Sequence, residues 1–157
     1  MVYIIILIAI ILIAVPVVRK ALWSRRDYAE LREMVHKERS KFIFLIDKKF
    51  RVKETNFYEL NENIKDDQPY VLGNVMHCQN GCESGLCGTG LGCDECPIRL
   101  IVNNSFKLKR DFDNLTATMH LYDANHVVRE VDVIADGKLV YIGSEPHIIV
   151  NVRKLIQ

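Results

Sequence analysis

All five cysteines of this chain lie between residues 78 and 96, in a pattern that suits metal binding or redox chemistry. The pattern is C-x3-C-x4-C-x5-C-x2-C, formed by Cys78, Cys82, Cys87, Cys93 and Cys96. Five of the eight glycines lie between these cysteines. Because glycine readily adopts positive φ and is costly to order, we predict a wrapped loop here rather than a regular helix or strand. The apolar surface of such a loop is too small to offset the entropy of ordering it, so we expect bonds to sulfur to hold it in shape.

In a reducing compartment this spacing favours a metal over disulfides. Cys93 and Cys96 form the C-x2-C pair that places two sulfurs on one ion. Four thiolates then complete a tetrahedral zinc site: Cys82, Cys87, Cys93 and Cys96. Cys78 is spare in this arrangement, and His77 beside it is a substitute ligand. An iron–sulfur cluster is the alternative cofactor, because it also takes four cysteines, and it would make the chain an oxygen or redox sensor. A thiol switch without metal is a further alternative, and an oxidising compartment would favour two disulfides with one leftover thiol.

The first eighteen residues bear on the compartment, because they contain no charged side chain. A membrane-spanning helix needs roughly 17 to 25 such residues. Basic residues follow the apolar run and none precedes it, which is the opposite of a cleaved signal peptide: Arg19, Lys20, Arg25 and Arg26. The positive-inside rule then places the rest of the chain in the cytoplasm. We therefore predict a single-pass anchor over residues 1–18 in the inner (cytoplasmic) membrane, with the soluble domain in the cytoplasm.

Residues 19–40 are predicted to form a charged helical connector. An incomplete apolar stripe runs along it at helical spacing: Leu22, Tyr28, Leu31 and Val35. The stripe is compatible with a short coiled-coil seam, which would give a homodimer, or with a helix that lies on the domain that follows.

Residues 41–157 have the pattern of an α+β domain. The run at 42–46 is continuously apolar, as in a strand buried on both faces, and residues 50–55 alternate like a half-exposed partner strand. Asn56 is predicted to cap a short helix and Pro97 to open a longer one. Three strand-like runs complete the chain, and the first of them begins at Leu115. Hairpin-linked strands at both ends, with helices between them, predict an antiparallel sheet.

Several of these segments resemble the PAS domain. The opening FIFLIDKKFRVKETN is similar to the first PAS hairpin, and the closing VREVDVIADGKLVYIGSEPHIIVNVRKLI is similar to the last. The centre, LGNVMHCQNGCESGLCGTGLGCDECPIR, resembles a cysteine-bearing subset of bacterial PAS domains found mainly in sensor kinases. In that subset G-x-x-x-x-C is followed by C-G-T/S, then by C-x-x-C and a helix. The resemblance covers about residues 41 to 157 and implies a five-stranded antiparallel sheet with helices on one side, around a pocket for a ligand or cofactor.

The resemblance further implies a sensory or ligand-binding domain that passes a signal along its flanking helices. The usual D-I-T ending is replaced by Val152-Arg153-Lys154, and no output module follows, so we expect a separate signalling partner. The alternative is a zinc-stabilised scaffold or interaction domain at the membrane. We expect no enzymatic activity, because nothing in the sequence pairs a cysteine with a histidine for nucleophilic catalysis and no carboxylates have acid–base spacing. The glycines at 88–92 lack the Lys-Ser/Thr of a phosphate-binding loop. The net charge of +1 gives no reason to expect a nucleic-acid partner.

Overall fold

The computed structural model describes residues 14, 15, 18 and 25–154. The predicted anchor over residues 1–18 lies outside the described residues except at Ala14, Val15 and Val18, which are helical. Within the described part of the chain, no helix has the length and apolar character needed to span a membrane.

A five-stranded antiparallel sheet forms the centre of the domain. Its strands are β1 (Phe42–Ile46), β2 (Val52–Thr55), β3 (Phe112–Tyr122), β4 (Val128–Ile142) and β5 (Glu145–Lys154). They lie side by side in the order β2-β1-β5-β4-β3, so the first and last hairpins meet where β1 pairs with β5. This confirms the α+β class and the five-stranded antiparallel sheet that the sequence analysis predicts.

Five α-helices and one 3-10 helix accompany the sheet in the described part of the chain. They are α1, whose described part covers residues 25–37, α2 (Phe57–Leu60), α3 (Leu72–Val75), α4 (Gln79–Glu83), a 3-10 helix (Cys93–Glu95) and α5 (Pro97–Leu108). The helix that opens at Pro97 is confirmed. The prediction of a stretch without regular helix at 78–96 is wrong, because α4 and the 3-10 helix both lie inside it.

The two faces of the sheet bury different partners. Successive side chains of a strand point to opposite faces, so Phe44 and Ile46 enter the main core, whereas Ile43 and Leu45 face the other way. The main core lies between the sheet and α2–α5, and Val102 of α5 is fully buried in it. Cys78 and Cys96 pack against this core.

The opposite face of the sheet is covered by α1. Val35 is fully buried against Ile43, Leu45 and Ile149, and Tyr28 packs beside it. Burial of a valine side chain contributes about 2 kcal/mol. The described part of the connector's apolar stripe, Tyr28, Leu31 and Val35, therefore packs on the domain that follows it, which was one of the two arrangements considered from sequence. Leu22 lies outside the described residues.

Asn56 immediately precedes α2, but its side chain does not cap the helix as predicted. It is fully buried instead. Its amide donates hydrogen bonds to the carbonyls of Glu38 (2.9 Å) and Lys41 (3.0 Å), and its carbonyl accepts the Ile43 N–H at 2.8 Å. Asn56 thus joins the end of the connector to the start of β1.

Candidate functional site

Four of the five cysteines line one cavity of about 50 Å³: Cys78, Cys87, Cys93 and Cys96. All five are free thiols. Cys82, which the spacing had placed in the ligand set, does not line this cavity. Among the residues that the structure describes, no group of three or more His, Cys, Asp or Glu side chains is arranged to hold a metal ion. The four thiols therefore surround a common space without converging on one point.

The remaining wall of this cavity is mainly apolar. It is formed largely by Phe50, Leu72, Met76, Ile98 and Met119. A cavity with such a lining disfavours free water, so the sulfur atoms are its main chemically reactive groups.

Gly73 of α3 allows the Cys87 sulfur to approach the helix backbone. A Cβ atom at position 73 would lie 2.6 Å from Cys87 Sγ, closer than real side chains come. The Gly73 N–H donates to that sulfur, and the Gly73 carbonyl accepts the Cys78 N–H at 2.8 Å. One glycine thus positions two of the four cysteines.

Asn74, the next residue, holds the loop from inside. It is fully buried, and its amide donates to the carbonyls of Gly81 (3.2 Å) and Gly85 (3.4 Å). Its carbonyl accepts the Cys87 N–H at 2.7 Å. Part of the loop is therefore held by an amide side chain rather than by sulfur, and the sequence analysis did not single out Asn74.

Cys93 and Cys96 lie in one turn at the beginning of α5. Cys93 is buried in the 3-10 helix, and its carbonyl accepts the Cys96 N–H at 3.4 Å. Cys96 is the residue that precedes the first turn of the twelve-residue α5. The exposed amides and the positive dipole end of that helix favour an anionic group at this place.

Arg99 puts a positive charge beside the cavity. Its guanidinium lies 4.6 Å from the centre of the Phe50 ring and lowers the pKa of the Cys87 thiol, against the larger effect of burial. Gly88 has a φ of +97°, and a Cβ atom there would clash with the Arg99 guanidinium. The glycine therefore leaves room for the arginine.

Burial raises the pKa of three of the thiols, Cys78, Cys82 and Cys87. At Cys78 the backbone amides of Asn80 and Gly81 hydrogen-bond to the sulfur and partly oppose this effect. A metal that binds such thiols displaces their protons.

Phe50 has a strained backbone conformation next to the cavity. Its φ is +62°, a region that bulky side chains rarely adopt. The strain is maintained by two hydrogen bonds, from the Phe50 N–H to the Asp47 carbonyl and from the Leu72 N–H to the Phe50 carbonyl, both of 2.9 Å. Strained residues held in this way cluster at functional sites.

His77, the predicted substitute ligand, does not line the cysteine cavity. Its ring lies parallel to that of Phe57 with centroids 6.5 Å apart, and burial lowers its pKa. Its Nε2 atom is buried and has no hydrogen-bond partner among the described residues.

Two further cavities adjoin the main core. One of about 160 Å³ shares Cys78 and Cys96 with the cysteine cavity. The other, of about 700 Å³, lies between residues 57–64 and the adjoining ends of β3 and β4. Its volume is in the usual range for small-molecule sites, and its wall includes Arg39 and Glu59, which form an ion pair at 3.3 Å.

Polar contacts join α1 to β2 and α2. Tyr28 donates to Glu54, while His36 bonds Glu54 at 3.1 Å and also bonds Glu59. Burial alone would lower the pKa of His36, but the bonds to both carboxylates outweigh it and raise the pKa. Burial and Glu54 raise the pKa of Tyr28 to about 12, so Tyr28 keeps its proton at neutral pH.

No family model matches the chain, and no curated protein matches it. Among solved structures it is similar to a PAS domain from a two-component sensor histidine kinase, with a TM-score of 0.43, 10% identity, and coverage of 84% of this chain and 99% of that one. It is also similar to the PAS domain of an HTR-like protein from Haloarcula marismortui, with a TM-score of 0.39, 10% identity, and coverage of 87% and 98%. Both likenesses concern the fold alone.

Proposed function

We propose that this chain is a membrane-anchored sensory domain whose cysteine segment binds a metal-containing group or responds to redox state. In this proposal α1 carries the response to a separate signalling partner, and the apolar run at residues 1–18 anchors the chain. The exposed side of α1, which includes Met34, is the surface offered to a partner or to a second copy of the chain.

One observation carries the proposal: the segment from residue 50 to residue 54 contacts the cysteine cavity at one end and α1 at the other. Phe50 lines the cavity and accepts the Leu72 N–H. Glu54, four residues later, bonds Tyr28 and His36 of α1. A change of the cavity that moves Phe50 therefore acts on the strand that holds the helix.

The strain at Phe50 supports a two-state response. A residue at φ +62° is held there by its surroundings, so an altered cavity wall can release it. Release would move the start of β2 and alter the contacts of Glu54. Coupling of this kind needs an element with two arrangements, and the turn at Phe50 is a suitable one.

Hydrogen exchange of the full chain in detergent tests the proposal. Protection of residues 25–37 is measured with the cysteine segment in its purified state and again after metal removal by a chelator under reducing conditions. We expect protection to differ several-fold between the two states, and Glu54→Gln to reduce that difference. Glu130→Gln, a matched change at an exposed position of β4, should leave it intact.

Equal protection of α1 in both states would contradict the sensory proposal. If metal removal instead unfolds the whole domain, as shown by loss of protection in β1 and β5, the zinc-stabilised scaffold is the better description.

A further inference from the structure

The four cysteines around one cavity define a specific ligand set. We infer that Cys78, Cys87, Cys93 and Cys96 bind one iron–sulfur cluster and that Cys82 is not a ligand. The inference rests on the proposed function, because it names the group that the cysteine segment binds.

The space lined by the four cysteines is large enough for a multi-atom group. In a tetrahedral zinc site with Zn–S bonds of about 2.3 Å, the sulfurs lie about 3.8 Å apart. The described residues contain no group arranged to hold an ion in this way. A cavity of about 50 Å³ has room for roughly four water-sized atoms. Four thiols around such a space suit a cluster, because its cysteine ligands are shared among several iron atoms.

Hydrogen-bond donors and positive charge surround the same sulfurs. Backbone amides donate to Cys78 and Cys87, and Cys96 lies at the amino end of α5. The Arg99 guanidinium adds a full positive charge beside Cys87. On binding, each thiol gives its proton to solvent and its sulfur bonds one iron, so the site gains negative charge that these donors and Arg99 compensate.

Cys82 has different surroundings from the other four. Its side chain belongs to α4 and does not line the cavity. The thiols of Cys78 and Cys87 are near it, but so are the carboxylates of Asp67 and Glu83, which disfavour a thiolate at Cys82. Spacing alone predicts Cys82 as a ligand and gives Cys78 no role. The cavity lining instead favours Cys78 as a ligand, because Cys78 lines the cavity and Cys82 does not.

The test compares two neighbouring cysteines in the full chain. The protein is extracted in detergent without oxygen, its thiols are reduced and the reductant is removed, and ferric iron and sulfide are then supplied. Iron, acid-labile sulfide and zinc per chain are then measured together with the visible absorption. We expect iron and sulfide in equal amounts, about two of each per chain, because the cavity has room for roughly four atoms. Cys78→Ser should lower the cluster content about tenfold or more, and Cys82→Ser should retain it.

The ligand assignment is overturned if Cys82→Ser loses the cluster and Cys78→Ser keeps it. One zinc per wild-type chain without sulfide overturns the cluster but leaves the proposed sensory function standing. A wild-type chain that binds neither metal nor sulfide, and whose α1 protection does not respond to oxidation, overturns both. Circular dichroism of each variant distinguishes loss of the cluster from loss of the fold. If a variant fails to fold, the metal and sulfide content of the wild-type chain still tests whether a cluster binds.

Discussion

Removal of the Asn74 side chain is the sharpest test of how the cysteine segment is held. Asn74→Ala deletes three hydrogen bonds, two from the amide and one from the Cys87 N–H. At about 1 kcal/mol for each bond, and about 1 kcal/mol more for a Cys87 N–H left without a partner, the loss totals about 4 kcal/mol. The exposed Gly85 carbonyl regains a bond to water, so we expect a net loss of about 3 kcal/mol.

Two measurements on the metal-free, reduced chain read out this loss. Thermal unfolding followed by circular dichroism should show a midpoint lower by roughly 10 °C if the loop unfolds with the domain. If the loop opens separately, a loss of about 3 kcal/mol raises the fraction of molecules with an open loop roughly 100-fold. The buried Cys93 should then react with a thiol reagent roughly 100-fold faster. Asn104→Ala, an exposed position on α5, serves as the matched control. Unchanged values in both measurements would refute the reasoning that Asn74 holds the loop.

Three further predictions follow from contacts at the two ends of the domain. Gly73→Ala places a Cβ atom against Cys87 Sγ, so we expect the content of metal or cluster per chain to fall about tenfold. The far-ultraviolet circular dichroism spectrum should stay the same, and an unchanged metal content would contradict the prediction. Asn56→Ala removes three buried hydrogen bonds and should lower the free energy of unfolding by about 3 kcal/mol in urea titrations, with Asn104→Ala as the control. The pKa of His36 is raised in the folded state, so its contribution to α1 docking is complete below about pH 6.5 and is lost as pH rises through the folded pKa. Protection of α1 should therefore be greater at pH 5.5 than at pH 8, and His36→Gln should abolish the difference.

The elements with strong periodicity were predictable from the sequence. The continuous apolar run of β1 and the proline that opens α5 each carry a local signal that tertiary packing did not override. Each terminal hairpin contains one strongly apolar strand, β1 in the first and β5 in the last. These two strands pair with each other at the centre of the sheet, which gives the observed strand order.

The short helices were not predictable, because one turn of helix has no periodicity. Both α3 and α4 have four or five residues, and they lie in stretches read as loop. Asn74 and Asn56 look like ordinary loop or cap residues in the sequence. Their buried roles depend on backbone groups seven to eighteen residues away, which no local pattern encodes.

The ligand set that we infer from the structure differs from the set predicted by spacing for a related reason. Spacing counts residues along the chain, whereas a binding site is set by where the chain folds back. Cys78 is brought to the cavity because its N–H bonds the nearby Gly73 carbonyl and because it bridges to Leu121 of β3, which lies far away along the chain. Whether Cys78 rather than Cys82 is a ligand stays a prediction until the two serine variants are compared.

His36 of α1 is joined by hydrogen bonds to two segments that border cavities, one the cysteine cavity and the other the cavity of about 700 Å³. Through Glu54 it is joined to the strand that begins beside the cysteine cavity, and through Glu59 to the wall of the 700 Å³ cavity. A ligand that displaces Glu59 and a cysteine-site change that moves Glu54 would each weaken one of its two bonds. Protonation of His36 strengthens its bonds to both Glu54 and Glu59. Because linkage is reciprocal, protonation must also favour the arrangement of each site in which the bond to His36 is intact. We therefore expect the change in hydrogen-exchange protection of α1 caused by either site to be smaller at pH 5.5 than at pH 8 in the wild-type chain. In His36→Gln this change should be independent of pH. A pH-independent change in the wild-type chain would show that His36 does not join the two sites.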